Sequence, residues 1–244
     1  MKRLTKPWSR RADARGSWLA LDGLWPTRYP EELARPSMPN ERQALEKYSA
    51  HAAEYDGTET DRVAPMRRAA IAMLDLRRGH TVLDVGCGTG LSFPILEDFV
   101  GPEGHVIGID QSPDMLARAR ARIARHGWSN VALIEAPAAE AVIPMLADAA
   151  LFHFTHDIMR TAHAVAHVVA HLKRGGRVVA IGIKWAPWWS LRVNLRVWRL
   201  ARAYTTTLEG LHAPWSYLAE VIPDLTIEPI ADGLAYLATG TKSV

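Results

Sequence analysis

The chain has 244 residues, 48% hydrophobic and 23% charged, a balance that excludes wholesale disorder and suits one α/β domain with modest additions. The formal net charge of +3 owes much to Lys2, Arg3, Lys6, Arg10, Arg11 and Arg15, while the remainder is nearly balanced; the basic stretch reads as a solvated tail, and no nucleic-acid partner is expected. The single cysteine, Cys87, excludes an internal disulfide, and no apolar run is long enough to span a bilayer.

In chain order, residues 1–38 carry three tryptophans and scattered prolines without clean periodicity, and read as an extension, partly ordered at most. Its apolar stretch Trp18-Leu19-Ala20-Leu21 is broken by Asp22 and Gly23, too short for a secretory signal, so a cytoplasmic location is expected. A domain is expected over 39–244. Residues 41–53 and 61–75 look helical. Short apolar runs then predict strands at 81–85, 105–109, 131–134, 149–154 and 177–183, with helical patterns between them at 91–99, 112–126, 140–147 and 161–171. Ser112-Pro113-Asp114 supplies a cap, a first-turn proline and an early acid for one of these helices, and Thr161 can cap another. Strands alternating with helices argue for a mostly parallel, Rossmann-like sheet covered on both faces. The tail differs. Runs at 224–230 and 234–240 joined through Ala231-Asp232-Gly233 predict a closing antiparallel hairpin, its last strand inserted between the fifth and sixth of seven.

The strongest chemical signal is Val82-Leu83-Asp84-Val85-Gly86-Cys87-Gly88-Thr89-Gly90. A buried strand runs into three glycines at alternate positions and a helix follows. Glycine permits the tight turn and a close ligand approach. Free amides and the helix N-terminus there would favour an anionic group such as a carboxylate. The spacing is not that of the dinucleotide fingerprint, because the third glycine falls one position early. The next strand ends in Asp110, whose carboxylate can accept from ribose hydroxyls or simply cap the following turn. Its place about twenty residues after the glycine turn favours the ligand reading.

VLDVGCGTG, VIGIDQSPDML, ALFHFTHDIM and HLKRGGRVVAIG together resemble the ordered motifs of class I S-adenosylmethionine-dependent methyltransferases, over roughly residues 41–183. The segment Tyr48–Asp56 is similar to the one that precedes the core in the small-molecule (type 11, UbiE-like) branch. The resemblance implies S-adenosylmethionine as cofactor and no metal. It implies that Asp84, Gly86, Gly88 and Gly90 hold the methionine part and that Asp110 holds the ribose with Gln111 beside it. Many relatives have an acid after the third strand for the adenine amino group; here Pro137 stands there. Backbone groups of Ala136 and Ala138, or the side chains of Glu135 or Glu140, are the substitutes. Helices within 41–75, with Tyr48 and Tyr55, would form a lid. Cys87 reads as a small filler under the cofactor.

The fourth strand ends in His153-Phe154-Thr155-His156-Asp157. His156 is the candidate general base, since an imidazole can accept a proton near neutrality, with an inert role as the alternative. His163, His167 and His171 share a helix face at four-residue spacing but lack a partner acid or cysteine, so an exposed face is expected. Residues 185–215 hold Trp185, Trp188, Trp189, Trp198 and Trp215. Within them, 189–203 reads as a helix with Arg192, Arg196, Arg199 and Arg202 on one face and Val193, Val197, Leu200 and Tyr204 on the other. That is either an ordinary surface helix or a substrate cover able to touch a membrane. The expected activity is methyl transfer to a small-molecule or lipid acceptor; the alternative is a cofactor-binding protein of the same fold without catalysis. Acceptor atom and oligomeric state are not legible.

Overall fold

The computed structural model describes residues 58–243. The extension 1–38, the expected helix 41–53, and Tyr48 and Tyr55 lie outside the described residues. The elements are α1 (Thr58–Ala72), β1 (Thr81–Val85), α2 (Phe93–Val100), β2 (His105–Asp110), α3 (Pro113–His126), β3 (Val131–Glu135), β4 (Ala147–His153), α4 (His156–Met159), α5 (Ala162–Ala170), β5 (Leu172–Ile183), α6 (Leu191–Tyr204), α7 (Ser216–Val221), β6 (Thr226–Ile230), a 3-10 turn (Ala231–Gly233) and β7 (Ala235–Thr241).

Seven strands form one sheet in the order β3-β2-β1-β4-β5-β7-β6. Neighbours from β3 to β5 pair parallel, and β7 runs antiparallel between β5 and β6. This is the expected Rossmann-like sheet with its last strand inserted. β1 is buried at all five positions, as a central strand covered on both faces must be. Alternate side chains serve opposite faces. Leu83, Val85, Ile107, Phe152 and Val178 pack with Val165 and Val168 of α5 and with Leu218 of α7. Val82, Val106, Leu151 and Val179 pack with Ile71 of α1, Phe93 and Leu96 of α2, and Leu116 of α3. A third cluster lies past the strand ends, where Val197 and Ala201 of α6 meet Ile183 and Leu211, with Phe154 and Trp185 against them.

Local chemistry sets the element ends. The Ser112 hydroxyl accepts from the Met115 amide at 3.4 Å, Pro113 occupies the first turn of α3, and Gly127 closes it in the left-handed region at φ 68°. Ala231, Asp232 and Gly233 take φ of 50°, 56° and 87°, which turns β6 back onto β7 with Ile230 opposite Ala235.

Two expectations fail. Residues 140–147 form no helix. Burial alternates there, with Ala141 and Ile143 buried and Val142 85% exposed, and that is the signature of extended chain. Pro144 has no amide to donate to a helix. β5 begins at Leu172, five residues before the expected Arg177. Ala147 pairs with Leu172 and Ala149 with Arg177, so Lys173–Gly176 bulge out of the ladder.

The position of the site depends on a close crossing of β2 beneath the β1 turn. A Cβ on Gly108 would stand 2.7 Å from Phe93 Cζ and 2.9 Å from Cys87 Sγ. Gly108→Ala should therefore overpack this contact and cost about 1–3 kcal/mol in chemical unfolding. A variant within about 0.5 kcal/mol of the parent would show that the turn is free to shift.

Candidate functional site

In this strand order β1 and β4 flank the point where the topology reverses, and such sheets take ligands at the carboxyl ends of the strands there. The β1 turn supplies Gly86, Gly88 and Gly90 at φ of 71°, 56° and 76°, a region that strains other residues. The three differ in surroundings. A Cβ on Gly86 would strike the Thr155 methyl, and one on Gly90 would strike the Phe93 ring. Among the described residues, Gly88 has nothing within 4 Å of its Cβ position. Two glycines thus accommodate the protein, and the third faces open space.

The amides of the turn do not form the expected anion cradle. Gly86 and Cys87 both donate to the Ile109 carbonyl, at 2.8 and 3.0 Å, and Gly90 donates to the Cys87 carbonyl at 3.0 Å. Gly88 donates to Asp110 Oδ2 at 2.8 Å. Asp110 Oδ1 accepts from the Ser112 amide at 2.9 Å. Asp110 is therefore both the cap of its own turn and a clamp on the glycine turn, and its carboxylate keeps further lone pairs. Gln111 is half-buried beside it. Burial raises the Asp110 pKa, opposed by hydrogen bonds from the amides of Ser112, Gly88 and Gln111.

Asp84 is 2% exposed, and its Oδ2 has no hydrogen-bond partner among the described residues. Burial pushes its pKa up to about 7; the Arg67 cation and a bond with Ser92 pull it down, while Asp110 pushes it further up. Arg67 is itself 5% exposed. It also acts on His153 at the end of β4, whose pKa falls to about 3, mainly through burial and secondarily through the Arg67 charge. His153 Nε2 and Thr155 Oγ1 are also enclosed without partners among the described residues.

His156 opens α4 at 7% exposure. Its Nε2 lies 3.1 Å from the Glu209 carbonyl, so that nitrogen carries the proton, and the enclosed Nδ1 lone pair has no partner among the described residues. Burial, its largest influence, lowers the His156 pKa and favours the neutral ring. Asp157 does not orient that ring. Its Oδ1 accepts from the Thr206 hydroxyl at 2.8 Å, which, with the Arg160–Glu209 ion pair at 3.4 Å, fastens segment 205–209 over α4.

At the end of β3 the Ala136 amide donates to the Asp110 carbonyl at 3.1 Å, and Ala138 is buried. Glu135 forms an exposed pair with Arg120 at 2.8 Å. Cys87 is buried, and desolvation, reinforced by Asp84 and Asp110, raises its thiol pKa well above the ordinary range. Of the histidine row only His163 is exposed as expected; His167 Nε2 meets the Ala141 carbonyl at 2.9 Å, and His171 Nδ1, just past α5, meets the His167 carbonyl at 2.8 Å. Trp215 is core, packed on Tyr236 with ring centroids 5.0 Å apart, and Trp188 and Trp189 face outward.

Arg67 was absent from the sequence expectations. A signal existed: Arg67, Ala70, Ile71 and Leu74 fall at helical spacing on one face, and all are buried. Lys184, 3% exposed at the end of β5 and bonded through Nζ to the Trp185 carbonyl at 2.8 Å, was missed as well.

Residues 76–184 match a family whose description is "Methyltransferase domain". This segment is a methyltransferase domain. It contains β1 through β5 and every site residue described above except Arg67 and the 205–209 segment. The methyltransferase domain is 43% identical over 60 residues to a protein-L-isoaspartate O-methyltransferase of Ignicoccus hospitalis, a match covering 25% of this chain and 28% of that one. It is 33% identical over 94 residues to the aklanonic acid methyltransferase DauC of Streptomyces sp. strain C5, covering 38% and 42%. The chain thus spans less than half the length of either relative. The N-methyltransferase NodS of Bradyrhizobium japonicum WM9, solved with S-adenosyl-L-homocysteine, superposes with a TM-score of 0.57 at 17% identity, covering 82% of this chain and 98% of that one. That likeness shows the class I methyltransferase fold. Among the described residues no helix is long and apolar enough to cross a membrane.

The two buried titratable groups beside Arg67 oppose each other in their effect on stability. Asp84, its folded pKa raised, contributes stability that is present below about pH 4 and lost as pH rises through about 7. His153, its folded pKa lowered, contributes stability that is present above about pH 6.5 and lost as pH falls through about 3. His153→Gln should leave the Asp84 trend uncovered. Urea unfolding should then show the variant gaining stability relative to the parent as pH falls from about 6.5 toward about 4. Parallel profiles would contradict the assignment.

Proposed function

We propose that the chain transfers the methyl group of S-adenosylmethionine to a small-molecule or lipid acceptor. The observation that carries this is the charge of the glycine turn. Its amides at Gly86, Cys87, Gly88 and Gly90 are spent on protein acceptors, and two carboxylates, Asp84 and Asp110, stand at it. Such a site repels a pyrophosphate, which needs free amides, and suits a ligand with an ammonium and a sulfonium. The unpartnered Asp84 Oδ2 and the open space over Gly88 fit that ligand. The relatives named for methyl transfer to different acceptors support the reaction class and leave the acceptor open.

In this reading Asp84 and Gly86, Gly88 and Gly90 hold the methionine part. Asp110 and Gln111 hold the ribose, and Ala136 and Ala138 line the adenine. When bound, the cofactor supplies an activated methyl group on sulfur. The chain's own work is then to align the acceptor and exclude water. An ammonium beside Asp84 replaces the partner its carboxylate lacks and favours the ionised form. His156 is the base if the acceptor must lose a proton: its neutral ring, held through Nε2, leaves the Nδ1 lone pair unbonded among the described residues.

Calorimetry tests the reading. S-adenosylmethionine and S-adenosylhomocysteine should bind, and NAD and ATP should not bind strongly. Asp110→Ala should weaken cofactor binding by about 1–3 kcal/mol; unchanged affinity removes Asp110 from the site. His156→Ala should keep cofactor affinity and, as a base, lose turnover on the order of 10²–10⁴-fold, measured with labelled methyl groups once an acceptor is found. A loss below about tenfold assigns it to packing.

A further inference from the structure

Helix α6 has two apolar stripes where a surface helix needs one. Val193, Val197, Leu200 and Ala201 turn inward and meet Ile183, Leu211, Phe154 and Trp185 beyond the ends of β4 and β5. That stripe accounts for the helix's place in the fold. The second stripe has no counterpart among the described residues. Leu191 is 73% exposed, Leu195 49% and Trp198 39%, and at spacings of four and three they share one face. In the turn before the helix Trp188 and Trp189 are 69% and 67% exposed, their rings edge to face at 5.8 Å. Arg192, Arg196, Arg199 and Arg202 are exposed beside this stripe, the last with its guanidinium 4.9 Å from the Trp198 ring. The charge is unusually one-sided: no aspartate or glutamate occurs from Ile158 to Leu208.

Exposed tryptophans are costly in water and favoured where an apolar phase meets a polar one. Arginines beside an apolar stripe satisfy the negative charge of the same boundary. We propose that α6 and the Trp188–Trp189 turn seat this protein on the surface of an anionic lipid bilayer. Trp188, Trp189, Leu191, Leu195 and Trp198 enter the boundary between headgroups and acyl chains, and the four arginines meet the lipid phosphates. The charge selects this occupant. A second copy would bring four more arginines against these, and a neutral apolar partner would offer Arg192, Arg196 and Arg199 no counter-charge. Because α6 packs over the ends of β4 and β5, docking brings the carboxyl edge of the sheet to the membrane. An acceptor dissolved in the bilayer then has a short path to the site, a consequence that rests on the methyltransferase reading; the docking does not.

The test uses the full chain without cofactor, sedimented with vesicles of phosphatidylglycerol and phosphatidylcholine at low salt. The protein should pellet with these vesicles and stay in solution with phosphatidylcholine alone. Changing Arg192, Arg196, Arg199 and Arg202 together to glutamine should lower the partition on the order of 1,000-fold. Trp188→Ser with Trp189→Ser should lower it about tenfold or more. All six positions are exposed, and unchanged circular dichroism and cofactor affinity establish that the variants are folded. Brominated lipid should quench parent fluorescence and lose most of that effect when Trp188, Trp189 and Trp198 are phenylalanine. No binding to anionic vesicles at low salt overturns the proposal, as does equal binding by the glutamine variant. So does binding of mixed-sequence RNA in place of vesicles, or a dimer that the tryptophan substitutions dissolve while vesicles are ignored. Calorimetry with S-adenosylmethionine in vesicle-free buffer reports on the transfer reading separately.

Discussion

Asp110 ties together the two loops that make the site. One carboxylate oxygen takes the Gly88 amide at 2.8 Å and the other the Ser112 amide at 2.9 Å. The first bond fixes the middle of the glycine turn, and the second fixes the entry to α3. Charged hydrogen bonds of this kind are stronger than neutral ones, and burial increases what is lost when one is broken. The Ile109 carbonyl, one residue earlier, takes the Gly86 and Cys87 amides. The end of β2 thus consumes three donors of the β1 turn. A turn that could have cradled a phosphate instead presents carboxylates and an open space over Gly88. The proposed ligand's polarity is argued from where these amides point.

That polarity extends to β4. Asp84, His153, Thr155 and His156 each keep an enclosed atom without a partner among the described residues, and all four lie at or just past the ends of β1 and β4. Buried polar atoms are ordinarily satisfied, so the grouping of these four at a topological switch point supports the proposed ligand site. Arg67 balances the charge from the other side. It lies in α1, outside the matched segment, and it lowers both the Asp84 carboxyl and the His153 imidazole. Removing α1 would therefore alter the electrostatics of the site as well as the core.

Much of this was legible in the sequence. Strands β1 and β2 show as short, mostly apolar runs, broken by Asp84 and Gly108, because both faces are covered. The glycine turn shows because three alternate residues need positive φ, and the hairpin shows because Asp232-Gly233 can turn left-handed. What escaped has physical reasons. Lys173–Gly176 are polar and bulge, so the early start of β5 has no apolar signature; it rests on distant pairing, as in the Gly175 amide to the Lys242 carbonyl at 2.9 Å. Residues 140–147 have helix-forming composition, but tertiary packing draws Ala141 and Ile143 inward from an extended chain. Helix α4, four residues long, is too short to show a period. A buried arginine runs against the usual rule for charge, which hid Arg67 although its spacing matched the core face. The direction of the turn's amides depends on Ile109 and Asp110 reaching across from another strand, and no local pattern records that.

The most direct measurement is amide hydrogen exchange at Gly88 and Ser112, followed by nuclear magnetic resonance with and without S-adenosylhomocysteine. Both amides should exchange slowly in the ligand-free protein, because Asp110 holds them. The resonances of Gly86, Gly88 and Gly90 should move when the ligand saturates. A Gly88 amide that exchanges as fast as an open loop, or glycine resonances that stay in place with ligand in excess, would contradict the account.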